Sequence, residues 1–139
     1  MKTTVDINWM GNMAFEFEAD GHKMKFDADP SVGGENKGPK PKPFMLYALA
    51  GCTGMDVVSI LKKMRVEIKD VNIAVEADLS EEHPKQFTSM HVIYTFTGND
   101  LPKEKLQKAV NLSEERYCGV SAVYKKVMPV TNEIKIVEG

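Results

Sequence analysis

A chain of 139 residues with 42% hydrophobic and 27% charged side chains fits one folded domain, 1–139, and excludes an intrinsically disordered protein. A formal net charge of −2 and a pI near 5.9 exclude a general attraction to nucleic acid or to anionic lipid. Two cysteines are too few for a secreted disulfide framework. With no apolar leader and no membrane span expected, the pattern predicts a cytoplasmic protein with neither nucleic acid nor membrane as a partner.

In chain order, "TTVDINW" (3–9) alternates Val5, Ile7 and Trp9 with polar residues, the period of a half-buried strand. Turn signals at Met10–Asn12 and Asp20–His22 separate it from "MAFEFEA" (13–19) and "KMKFDA" (23–28), which predicts an antiparallel meander. The segment 29–43, dense in Gly, Pro and Lys, reads as an irregular loop of the length that is often functional.

Residues 43–65 predict a long helix, with Pro43 near its first turn and Lys62, Lys63 and Arg65 at the negative pole of its dipole. It is apolar on nearly every side, so protein must surround it, and a second subunit is expected to complete its cover. Strands are predicted at 71–79 and 89–98, two helical pieces across 100–127, and a last strand at 133–138. The order βββ-α-ββ-αα-β indicates an α+β fold.

Chemistry-bearing residues are few. Cys52 lies between Gly51 and Gly54 in the long helix, where each glycine weakens the helix by roughly 1 kcal/mol relative to Ala and so implies a packing or functional reason. Cys118 falls in the first turn of the last helix, where exposed amides and the dipole lower a thiol pKa. Each cysteine reads either as a small core side chain or as a reactive thiol. His22, His83 and His91 are isolated and no C-x-x-C occurs, so no metal site and no cofactor are expected. The glycine-rich loop lacks a P-loop ending, and there is no G-x-S-x-G.

"PKPFMLYALAGCTGMDVVSILKK", "FTSMHVIYTFTG" and "LSEERYCGVS" together resemble the OsmC/Ohr family of organic-hydroperoxide resistance proteins, in its YhfA-like branch, over most of the chain. The resemblance implies an intertwined homodimer with an antiparallel sheet wrapped around cysteine-bearing helices. It further implies a thiol-dependent peroxidase for organic hydroperoxides, active in the oxidative stress response. Cys52 would be the peroxidatic thiol and Cys118 the resolving thiol, with a dithiol reductant such as a lipoylated protein as partner. Phe44, Tyr47, Met55 and Tyr117 are the candidate substrate walls. The family's Arg–Glu pair is missing: Lys42 follows Pro41, and no arginine precedes Arg65. Lys42, with Lys40, is therefore the expected substitute cation. The alternative is a redox-sensing or small-ligand-binding dimer with little turnover.

Overall fold

Alternating apolar and charged residues build a meander in the computed structural model, which describes all 139 residues. Strands β1 (Asn8–Trp9), β2 (Phe15–Ala19) and β3 (His22–Phe26) pair antiparallel in that order. Asp20 and Gly21, with φ of 51° and 81°, form the tight β2–β3 turn that an Asp-Gly pair favours. The predicted strand 3–9 forms only at its last two residues. Val5 and Ile7, expected to be half-buried, are 86% and 48% exposed, because no strand of this chain pairs with residues 3–7.

These strands belong to the first of two compact units, Met1–Met45. Its loop is not slack. Asp27, 3% exposed, accepts backbone N–H bonds from Ala28 (2.7 Å), Glu35 (3.0 Å) and Lys37 (3.1 Å). A Cβ at Gly34 would stand 1.7 Å from the Ala28 carbonyl oxygen, so only glycine fits the close approach. Donors at Glu35 and Lys37 hold the Asp27 carboxyl below its ordinary 3.8. The stabilisation is therefore present in full above that value and is lost as the pH falls through the lower folded one. Asp27→Asn is expected to lower the urea midpoint at neutral pH and to flatten the acid limb of a stability-versus-pH curve. An unchanged acid limb would deny Asp27 this role.

The second unit, Leu46–Gly139, holds a second sheet and the helices. Helix α1 (Phe44–Lys63) runs mostly within it and is followed by β4 (Asp70–Leu79) and β5 (Phe87–Gly98). Next come α2 (Lys103–Leu112), a π-helical segment (Ser113–Tyr117), α3 (Gly119–Lys125) and β6 (Val130–Glu138). The element order is the expected one. The all-antiparallel expectation holds for β1–β2–β3 and for β4–β5, but β6 pairs parallel to β5. Two helices intervene between β5 and β6, and such a crossover returns the chain in the same direction.

One face of β5 is buried throughout as Met90, Val92, Tyr94 and Phe96. It packs in one core with Leu49, Val57 and Leu61 of α1 and Leu106, Ala109 and Val110 of α2. Helix α1 buries a single stripe at four-residue spacing, Leu49, Thr53, Val57 and Leu61. Contrary to the sequence expectation, α1 is long and apolar enough to cross a membrane by length and composition. Its buried stripe is packed in a protein core, while Tyr47, Met55 and Val58 elsewhere on the helix stay exposed.

Candidate functional site

Three side chains meet in the second unit. Cys52 and Asp56 stand one turn apart on α1 and so share a face. Cys118 is the N-cap of α3. The two sulfurs and a carboxylate oxygen of Asp56 all lie within 4.8 Å of one another. The two sulfurs face one another without a disulfide, and both cysteines are free. Cys118 is 2% exposed, whereas Cys52 is only partly buried. Cys52 is thus the less buried of the two residues.

Ser113 anchors the arrangement. Its carbonyl accepts the Cys118 N–H at 2.7 Å, the long-period bond of the π segment, and its hydroxyl donates to Asp56 Oδ2 at 3.0 Å. Single π turns inside α-helices recur at functional sites. Here the turn sets Cys118 against α1.

The expected lowering of the Cys118 pKa does not occur. The Ser121 N–H donates to Cys118 Sγ at 3.3 Å, as a helix N-terminus should. Burial and the neighbouring Cys52 sulfur outweigh it and push the thiol from 9.0 up to about 11. At neutral pH Cys118 keeps its proton.

Behind the thiols runs a buried polar chain. Glu114, 4% exposed, accepts from the Tyr94 hydroxyl at Oε1 (3.1 Å) and from the Asn132 amide at Oε2. Burial raises the Tyr94 hydroxyl well above its ordinary range, so it stays a donor. The Lys125 ammonium donates to the Glu114 carbonyl at 3.0 Å. No buried side-chain nitrogen or oxygen lacks a partner. The network fastens the π segment to β5 and β6.

The other candidate residues fall into three groups. Tyr117, 58% exposed, lines a cleft of about 610 Å³ with Asp56, Ile60, Lys63 and Lys108. Tyr47 and Met55 are 66% and 77% exposed on α1. Phe44 meets the Phe26 ring edge-on at 4.8 Å in the first unit. Lys42 is exposed there, and Lys40 is paired with Asp29 at 2.9 Å.

The two glycines around Cys52 separate. A Cβ at Gly54 would come within 2.7 Å of Ile73 Cδ1, so that position is small for packing on β4. A Cβ at Gly51 would meet nothing within 4 Å.

Sequence reasoning missed Asp56, Ser113 and Glu114. The Cys-x-x-x-Asp spacing on one helix face was the available signal for Asp56. Ser113 and Glu114 stand at helical spacing from the apolar Leu106, Ala109 and Val110, a signal masked by their polar side chains. The expectation of no metal ligands rested on local spacing, whereas the fold gathers two sulfurs and a carboxylate from positions 52, 56 and 118.

The family model for OsmC-like proteins matches residues 34–133. Escherichia coli K12 protein YhfA is 33% identical over 132 residues, covering 94% of this chain and 96% of YhfA. A solved protein of Aquifex aeolicus VF5 superposes with a TM-score of 0.87 at 28% identity, covering 100% of this chain and 99% of its own. The organic hydroperoxide resistance protein OsmC of Legionella pneumophila shares the fold, with a TM-score of 0.71, 17% identity and 97% coverage of each chain. The matched stretch contains both cysteines, Asp56 and the π segment that positions them, and the chain belongs to the OsmC-like protein family.

Proposed function

We propose that the protein is a thiol-dependent peroxidase for organic hydroperoxides, with Cys52 as attacking and Cys118 as resolving thiol. The observation that carries this reading is the meeting of the two sulfurs and the Asp56 carboxylate within 4.8 Å. The Cys52 thiolate attacks the peroxide O–O bond, takes one oxygen as a sulfenic acid and releases the alcohol. Cys118 then attacks the sulfenic sulfur, and its proton leaves with the displaced hydroxide as water. Asp56, near both sulfurs, is placed to relay that proton.

The pKa of Cys118 gives the sequence of steps a physical basis. A protonated Cys118 is a poor nucleophile while Cys52 is reduced. Burial is the first cause that holds its proton, and the neighbouring Cys52 sulfur adds to it only while Cys52 is reduced. Oxidation of Cys52 removes the second influence, which eases the attack of Cys118 in the second step. A dithiol, for which the family resemblance suggests a lipoylated protein, reduces the disulfide by exchange. A cytoplasmic location keeps both thiols reduced between cycles. The reading predicts saturable, repeated turnover of cumene hydroperoxide with reduced lipoamide. Oxidation limited to one equivalent per chain would replace it by the sensor reading, which Lys42 in place of the family glutamate and the absence of an arginine before Arg65 favour.

We further infer a homodimer. Tyr47, Met55 and Val58 of α1 are 66%, 77% and 45% exposed on a helix that is apolar on nearly every side, and a second subunit would cover them. Met55→Lys is expected to weaken dimerisation by about 10-fold or more, because a buried interface charge without a partner costs several kcal/mol. Sedimentation velocity reads this, and a wild-type monomer at all concentrations would contradict it.

A further inference from the structure

We propose that Cys52, Asp56 and Cys118 form a binding site for a thiophilic cation, Zn²⁺, so that the reduced thiol pair is alternately a metal site and a peroxide site. Two sulfurs and one carboxylate oxygen make a three-ligand set of the chemistry that Zn²⁺ selects, with the fourth position left to water from the partly buried Cys52 side. Zinc–sulfur and zinc–oxygen bonds of about 2.3 and 2.1 Å place tetrahedral ligands about 3.6–3.8 Å apart. The three atoms already lie within 4.8 Å of one another, so closure needs shifts of about 1 Å or less, within side-chain rotation.

The charge balance favours a cation. Asp56 stands beside two ionisable thiols, and no salt bridge engages it. Lys63 and Lys108 line the neighbouring cleft without pairing to it. The Ser113 hydroxyl donates to Asp56 Oδ2 at 3.0 Å, the outer support that a metal-binding carboxylate commonly has. Binding converts Zn²⁺ and two thiols to a zinc dithiolate and releases two protons. A Cys52–Cys118 disulfide has no thiolate to offer, so metal binding and oxidation exclude each other. Zinc would hold the pair reduced and silent until it is removed.

This inference rests on the same thiol pair as the peroxidase reading, but its test contains no peroxide, so either fails without the other. Reduced protein is titrated anaerobically with Co²⁺, a spectroscopic stand-in for Zn²⁺. The expected result is one Co²⁺ per chain with thiolate-to-cobalt charge transfer and tetrahedral d–d absorption, displaced by Zn²⁺. Cys52→Ser and Cys118→Ser are expected to lose the charge-transfer intensity in part and to bind more weakly. Asp56→Asn, which retains the Ser113 contact, is expected to weaken binding by about 10- to 100-fold. In the wild type, where no folding defect intervenes, Zn²⁺ should slow alkylation of both cysteines and EDTA should restore it. Cobalt binding without sulfur charge transfer, unchanged binding in Asp56→Asn, or alkylation indifferent to Zn²⁺ would each overturn the proposal.

Discussion

Replacing Cys52 with Ser is expected to reduce hydroperoxide turnover by at least about 10³-fold, since a hydroxyl is not ionised at neutral pH and removal of a nucleophile abolishes the covalent route. The fold should survive, because Cys52 is only partly buried and serine is nearly isosteric. Cys118→Ser should behave differently. It retains the first oxidation, so one equivalent of alcohol per chain is released at close to the wild-type rate. The sulfenic acid then has no resolving thiol, and excess peroxide drives it to sulfinic and sulfonic acid. Steady-state turnover collapses while the single-turnover burst remains. Rapid-quench measurement of alcohol, with intact-mass detection of oxygen adducts, separates the two variants. Equal loss of the burst in both would show that the assignment of roles is wrong.

The second large effect is on stability. Glu114→Ala removes the acceptor for the buried Tyr94 hydroxyl and the half-buried Asn132 amide and leaves a void beside the core. Each unpaired buried group costs about 1–3 kcal/mol, so the variant is expected to lose roughly 2–5 kcal/mol in urea unfolding. Glu114→Gln keeps a carbonyl for Tyr94, and the Asn132 amide can turn its oxygen to the new amide, so its loss should be smaller. The disulfide of Glu114→Ala should also form more slowly, because the π segment that presents Cys118 loses its tie to β5 and β6. A variant as stable as wild type would mean that the network is incidental. The denaturation midpoint and the rate of disulfide formation are the two readouts.

How much of this was legible before the structure depends on how local each cause is. Strands β2, β3, β4 and β5 announce themselves by alternation, and the Asp20–Gly21 turn by a residue pair that tolerates positive φ. Helix α1 is evident from its apolar run and basic end, and both cysteines were placed on the right elements. Residues 3–7 misled because alternation describes a strand's preference, while the partner that satisfies it has to be supplied from elsewhere. The parallel pairing of β6 was invisible, since strand direction is set by the crossover and not by side-chain pattern.

The site itself was half legible. Cys52 and Cys118 stood out by type and by resemblance, but the direction of the Cys118 pKa was read wrongly. A helix N-terminus is visible in sequence, whereas the burial that overrides it depends on what packs from residues far away. Asp56 needed only the four-residue spacing to be noticed. Ser113 and Glu114 continue the three- and four-residue spacing of Leu106, Ala109 and Val110, and what could not be read in advance is the π turn, which places Cys118 N–H on the Ser113 carbonyl.

The most direct measurement treats the fully reduced protein with one equivalent of cumene hydroperoxide and maps thiol status by mass spectrometry of the non-reduced digest. Formation of a Cys52–Cys118 disulfide with stoichiometric release of alcohol is the predicted result. Two thiols still free, or oxygen added to Cys52 while Cys118 remains untouched, would contradict a paired thiol site.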